Sequence, residues 1–235
     1  MSAVILIPAR WASTRFPGKP LALIAGVSLI QRVYERAGGA KCAKAIYVAT
    51  DDARIAEHVT AFGGNVVQPG GDFQSGTDRI AAALDLLGEE FDQVVNVQGD
   101  EPLIDAGSID AVIEALQTTD SDLATLACPL QNQQELQSRD VVKVVAALDG
   151  SALYFSRAPL AGADRHIGLY GYQTTALRAL ASLAPSPLER AESLEQLRAL
   201  QNGFKIHVLQ TSKPHLGVDR PEDVLRVEQE LAKHG

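Results

Sequence analysis

Residues 3–21 read AVILIPARWASTRFPGKPL. Five consecutive apolar residues, Ala3 to Ile7, lead straight into a loop that carries Arg10, Arg15 and Lys19 among small residues, prolines and Gly18. An unbroken apolar run of this length is a strand buried on both faces, the kind found in parallel sheets covered by helices. In open sheets of that kind the ligand lies beyond the carboxyl ends of the strands. The basic loop therefore falls where a ligand binds.

The rest of the chain supports that reading. A helix is predicted from near Ser28, with Leu29, Ile30, Val33, Tyr34 and Ala37 on one face. AIYVAT (45–50) is a second strand. Asp51 or Asp52 can cap the helix after it, which has Ile55, Val59 and Phe62 at helical spacing. NVVQ (65–68) is a short strand, and SGTDRIAAALDLL (75–87) a helix with Ile80, Leu84 and Leu87 in register. QVVNVQ (93–98) is a buried strand ending in the polar turn GDEP, and a helix follows through Ile109, Val112, Ile113 and Leu116. Strand–helix alternation of this kind predicts an α/β fold with a mostly parallel sheet and helices on both faces.

Beyond residue 120 the pattern changes. DLATLACPL, VVKVVAAL, ALYFSRAPL and HIGLYGYQ follow one another without long helices and read as further strands, some antiparallel, forming a smaller lobe. Helices are expected from Leu188 to Gln201 and from Pro221 to Lys233, with strand KIHVLQ between them. The whole reads as one domain, 1–235, with a parallel-sheet half over about 1–120 and a smaller lobe over about 121–215.

Composition excludes several classes. With 21 basic and 29 acidic side chains the net charge is −8, and no basic run offsets it. Nucleic acid is therefore not an expected partner. Cys42 and Cys128 are the only cysteines and lack metal-ligand spacing, so both are expected reduced and buried. The opening apolar run is too short for a signal peptide and lacks its basic flank. No apolar run is long enough to enter a bilayer. A cytoplasmic protein is the expectation.

Three cations in one short loop of an acidic protein suit a triphosphate. Arginine presents a bidentate fork to phosphate and lysine a mobile point charge, while Gly18 lets backbone approach closely. The loop is not a Walker motif, because no GxxxxGK[ST] is present. Two acids lie at the same predicted rim, Asp100 just after a strand and Asp219 just before the last helix. Magnesium binds hard oxygens and commonly takes one or two carboxylates beside phosphate and water. Each has an ordinary alternative, Asp100 as a turn-former and Asp219 as a helix cap. Ser75, three residues before Asp78, has a helix-cap pattern, as does Ser186 with Glu189.

IPARWASTRFPGKPL, VATDD, QSGTDR, VNVQGDEP, VVKVV, ALYFSRAPL, RHIGLYGY, PLERAESLEQLR and GVDRPEDV together resemble the 3-deoxy-manno-octulosonate (Kdo) cytidylyltransferases, in that family's order and over nearly the whole chain. The resemblance implies a nucleotide-diphospho-sugar transferase-like, Rossmann-like fold and a magnesium-dependent enzyme, with the nucleotide-binding half over about 1–120 and the sugar-binding and dimerisation lobe over about 121–215. It implies transfer of CMP from CTP to Kdo, releasing pyrophosphate and activating Kdo for lipopolysaccharide biosynthesis, in a homodimer. It implies Arg10, Arg15, Lys19 and Asp100 as catalytic, and Arg10, Arg15, Lys19, Ser75 and Arg79 as contacts to the nucleotide. Asp100 and Asp219 match the metal-binding aspartates. Gln98, Arg157, His166, Tyr170, Glu195 and Gln196 match contacts to the sugar acid. Strand alternation also places His166, Gly168 and Tyr170 on one face. For Gln98 the ordinary alternative is a strand-end amide, for His166 and Tyr170 core or dimer contacts, and for Glu195 and Gln196 a solvated helix face.

The sequence departs from the family pattern at two places. Arg220 stands where the family has Thr or Ser, so a capping hydroxyl is lost and Asp219 is left to cap as well as coordinate. The Ala161–Asp164 segment is shorter than usual, which leaves 8-amino-Kdo open as the sugar. CMP-sialic acid synthetase is the nearest rival enzyme, and QGDEP with RHIGLYGY argues against it. A non-catalytic nucleotide-sugar sensor would not need both aspartates and all three loop cations.

Overall fold

The computed structural model describes residues 1–12, 15–71, 73, 75–212 and 215–233. In chain order they form β1 (Ala3–Pro8), β2 (Leu23–Ile24), β3 (Val27–Ser28), α1 (Leu29–Ala37), β4 (Ala45–Ala49), α2 (Ala53–Ala61), β5 (Val66–Val67), α3 (Gly76–Leu86), β6 (Gln93–Asn96) and α4 (Ala106–Thr118). There follow β7 (Leu123–Cys128), α5 (Gln133–Gln137), β8 (Lys143–Ala146), β9 (Ala152–Ser156), β10 (Asp164–Gln173), α6 (Thr174–Ala181), α7 (Pro187–Glu192), α8 (Gln196–Gln201), β11 (Ile206–Gln210) and α9 (Pro221–Leu231). This is the mixed α/β class expected. No helix among the described residues is long and apolar enough to cross a membrane.

The chain folds into two compact units. The first comprises Ser2–Phe91, Asn96–Asp110 and Pro214–Gly235, and the second Met1, Asp92–Val95 and Ala111–Lys213.

In the first unit β1 is the buried strand foreseen, with Ala3 to Ile7 at most 1% exposed. It pairs in parallel with β4 from Val4↔Ala45 to Pro8↔Ala49, and β4 pairs in parallel with β5. The Val97 N–H donates to the Leu6 carbonyl, which holds the 97–101 turn beside the end of β1. Three helices are capped by the residues their sequences advertise. Ser28 accepts from the Gln31 N–H, Asp52 from Arg54 and Ser75 from Asp78, each such cap contributing about 1 kcal/mol. Leu29, Ile30, Val33 and Ala37 form the buried stripe of α1. The β2–β3 hairpin was not foreseen. Its two-residue turn, Ala25-Gly26, has positive φ at both positions, the geometry two-residue hairpins prefer.

In the second unit the strands run in the order β11-β7-β10-β6, with β8 pairing β10 and β9 pairing β8. β7 is parallel to β11 and antiparallel to β10, and the β8 pairings are antiparallel, as expected of the lobe. Lys143 in β8 is fully buried, and its ammonium donates to three carbonyls, those of Ser138, Val141 and Arg157, each at 2.7 Å. Three expectations are corrected here. The helix expected over 188–201 is two helices, because Ser193 adopts a left-handed conformation (φ 55°) that ends α7. α6, whose Ala176, Leu177 and Leu180 are buried, was not anticipated. Cys128 of this unit and Cys42 of the first are free thiols, and both are half-buried, not enclosed.

Candidate active site

The site is built by two loops and two helix ends of the first unit. A cleft of about 230 Å³ is lined by Arg10, Arg15 and Lys19 after β1, by Ser75 and Arg79 of α3, by Gln98 and Asp100 after β6, and by Asp219 before α9. All eight residues that sequence reasoning assigned to the nucleotide, the metal and the 98–100 turn therefore meet in one place. Ser13, Thr14 and Gln74 of the quoted motifs lie outside the described residues.

The loop after β1 is held from both sides. Gly18 is left-handed (φ 69°), and a β-carbon there would come within 3.0 Å of the Trp11 ring, so only glycine fits. On the ring's other contact, the Arg54 guanidinium stacks 3.4 Å from its centroid while pairing bidentately with Asp52. A left-handed Gly18 then starts a single helical turn at Lys19, with Pro20 fixing its first residues.

The geometry gives the loop cations partners within the cleft. Lys19 Nζ lies 2.8 Å from Asp100 Oδ2 and 3.6 Å from Asp219 Oδ1, and Arg15 Nη2 lies 3.0 Å from the same Asp219 oxygen. Two acids far apart in sequence thus face one position of positive charge. Burial pushes the Asp100 carboxyl above the usual carboxylate range; Lys19 pulls it back, and Glu101 and Asp219 push it up further. The turn is tight because Gly99 faces the Pro8 carbonyl, where a β-carbon would sit 2.7 Å from the oxygen.

Asp219 does not cap α9. The Asp223 carboxylate accepts from the N–H groups of both Asp219 and Arg220, the half of a capping box that an acid at the third helical position supplies, and the Asp223 N–H donates to the Arg220 carbonyl. The Asp219 side chain is left facing the loop cations, and the expected double duty is corrected.

Ser75 is both cap and cleft wall. Arg79 is buried; its guanidinium donates to Asp51 Oδ1 at 2.7 Å and stacks 5.1 Å from the Phe73 ring. Sequence reasoning saw Asp51 only as a possible cap and passed over Phe73. The repeated Asp of VATDD was the available signal: only Asp52 caps, which leaves Asp51 for another task.

The remaining predicted residues belong to the second unit. His166 and Tyr170 are neighbours, with ring centroids 5.3 Å apart. They stay together although β10 bulges between Ile167 and Tyr170. Buried Thr125 fills the bulge, its hydroxyl within reach of the Ile167 and Leu169 carbonyls and 3.0 Å from His166 Nε2. A hydroxyl donating to a carbonyl must accept from the imidazole, so Nε2 carries the proton and Nδ1 is an acceptor. Burial holds the His166 pKa down at about 3, and the ring is neutral. The Tyr170 phenol is pushed well up by burial, then by Tyr172 and Glu195. Glu195 starts α8 and Gln196 is buried. Arg157 is anchored by donating to the Glu192 and Arg139 carbonyls. Sequence reasoning missed Thr125, which no local pattern marks.

The family model for cytidylyltransferase matches residues 4–206. A 3-deoxy-manno-octulosonate cytidylyltransferase of Syntrophotalea carbinolica is 49% identical, covering 98% of this chain and 99% of that protein. An 8-amino-3,8-dideoxy-manno-octulosonate cytidylyltransferase of Shewanella sp. (strain W3-18-1) is 46% identical, covering 99% of each. The solved structure of a CMP:2-keto-3-deoxy-manno-octonic acid synthetase complexed with CTP superposes with a TM-score of 0.94, at 36% identity and full coverage of both chains.

Proposed function

This chain belongs to the cytidylyltransferase family, and we propose that it transfers CMP from CTP to Kdo, giving CMP-Kdo and pyrophosphate. The observation that carries the reading is the convergence of Arg10, Arg15, Lys19, Asp100 and Asp219 on one cleft of the first unit. Relatives named for this reaction, and a neighbour solved with CTP, support it.

The anomeric hydroxyl of the sugar attacks the α-phosphorus of CTP in line, and pyrophosphate leaves. No side-chain nucleophile is required. Arg10, Arg15 and Lys19 bind the triphosphate and offset charge that develops on the leaving group; such a fixed cation contributes on the order of 3 kcal/mol, about a hundredfold in rate. Ser75 and Arg79 hold the cytidine side, Arg79 fixed by Asp51. In the second unit Arg157 and the neutral groups His166, Tyr170 and Gln196, with Glu195, suit a carboxylate-bearing polyol; Gln98 lines the cleft of the first unit and is assigned to the sugar there. His166 Nδ1 accepts from a hydroxyl and the un-ionised Tyr170 phenol donates.

The cleft fits magnesium. Asp100 and Asp219 present hard oxygens toward a position now filled by an ammonium and a guanidinium, and two carboxylates suffice beside phosphate oxygens. These two residues would hold the ion, which when bound would acidify the attacking hydroxyl and orient it. The proposal extends to a cytoplasmic homodimer, with nucleotide binding by the first unit and sugar binding by the second.

A second reading, 8-amino-Kdo as the sugar, is favoured by relatives of that name at 46–47% identity. A pyrophosphate-release assay decides, crossing the four nucleoside triphosphates with Kdo, 8-amino-Kdo and sialic acid, with and without magnesium. Release is expected with CTP, Kdo and magnesium together. Binding of CTP with no release on any sugar overturns the reading.

A further inference from the structure

We infer that His215 is a positioning residue that sets the spacing of the Asp100 and Asp219 carboxylates by clamping Glu101. The inference rests on the metal reading of that pair. The 98–101 turn and the 215–219 segment touch at two points. The Val218 N–H donates to the Asp100 carbonyl at 2.8 Å, and His215 Nδ1 lies 3.2 Å from Glu101 Oε2. The His215 side chain is 4% exposed. A carboxylate only accepts, so Nδ1 carries the proton. Nε2 is buried and meets no hydrogen-bond partner among the described residues. The protein therefore bears the cost of one unsatisfied ring nitrogen to make one bond to Glu101.

That bond has two consequences for the cleft. It ties Glu101, the residue after Asp100, to the segment that ends in Asp219. The far end of that segment is fixed separately by Asp223, so the clamp completes the hold on both carboxylates. It also retains the Glu101 charge on the His215 side. A released Glu101 would add a third acid free to turn toward the cation position, next in sequence to Asp100. Groups bonded directly to metal ligands typically contribute about 10- to 100-fold in metal affinity; His215 acts one residue further out, through Glu101, which sets the expectation at the low end of that range.

The test uses Mn2+ as the probe, counted by electron paramagnetic resonance on the full chain with CTP and no sugar. His215→Ala should weaken Mn2+ binding about tenfold, with CTP binding in EDTA and the melting temperature near those of the unaltered protein. An asparagine amide sits where Nδ1 was and a glutamine amide where Nε2 was. His215→Asn should therefore restore Mn2+ affinity to within about threefold, and His215→Gln should not. If alanine does not fold, the asparagine–glutamine comparison decides alone. Unchanged Mn2+ affinity in folded His215→Ala, or equal rescue by glutamine, overturns the clamp while leaving the proposed function intact. Failure of the unaltered protein to bind Mn2+ with CTP overturns both.

Discussion

Lys19 Nζ donates to Asp100 Oδ2 at 2.8 Å across 81 residues of sequence. The same ammonium lies 3.6 Å from Asp219 and is only 14% exposed. The ammonium thus faces both acids, and Arg15, 3.0 Å from Asp219, supplies the second positive charge. On the proposed function, a bound triphosphate would draw Lys19 from carboxylate to phosphate.

Lys19→Met keeps most of the side-chain volume and removes the charge. We expect kcat/KM for CTP to fall about a hundredfold, with the circular dichroism spectrum unchanged. Steady-state pyrophosphate release checks this; near-normal kcat/KM would remove Lys19 from the triphosphate site.

Asp100→Asn should abolish turnover and stabilise the ligand-free protein. Burial raises the folded-state pKa of Asp100 above its unfolded value. A raised carboxyl binds its proton more tightly when folded, so its contribution to stability declines as pH climbs from the unfolded through the folded pKa. In EDTA, the melting temperature of the asparagine variant should pull ahead of the unaltered protein as pH rises from about 4 toward neutrality, by about 2–4 °C at most. A gap that shrinks with rising pH would contradict the assignment.

Gly99→Ala places a β-carbon 2.7 Å from the Pro8 carbonyl oxygen, between two backbones that cannot both yield. The cost should be about 1–3 kcal/mol in denaturant unfolding, with CTP turnover impaired because the turn carries Asp100. Gly76→Ala is the control. Its β-carbon would meet Pro8 Cγ at an ordinary 3.4 Å, and alanine in a helix is favoured over glycine by up to about 1 kcal/mol.

His166 should not titrate near neutrality. Its pKa of about 3 follows from burial, and its neutral ring donates to Thr125. Imidazole carbon and nitrogen shifts followed by NMR should stay flat between about pH 5 and 8, where an unperturbed histidine titrates. An inflection in that window would show the ring to be solvated.

Much of the site was legible because its residues follow strands directly. Arg10, Arg15, Lys19 and Asp100 were placed at one rim by the strand–loop–helix order, and the structure gathers them there. What local pattern could not supply was partnership. Asp51 was read only as a possible cap; in the fold it holds Arg79. Asp219 was given a cap's work because position 220 lacks a hydroxyl; in the fold its side chain faces the loop cations, and Asp223 ties down the 219 and 220 N–H groups from inside the helix. The long helix over 188–201 failed at Ser193, since leucine spacing continues through a left-handed residue without recording it.

Sequence alone determined the class of fold and the rim where chemistry belongs. Short continuous apolar runs ending in turn residues indicate strands covered on both faces, and helical periodicity dictates which side each helix buries. Tertiary structure alone decided which charges meet. The Arg15–Asp219 pair spans 204 residues, and the bulge across which His166 still meets Tyr170 is filled by Thr125 of another strand. Such contacts are set by how distant backbones are brought together in space, a quantity no local periodicity carries.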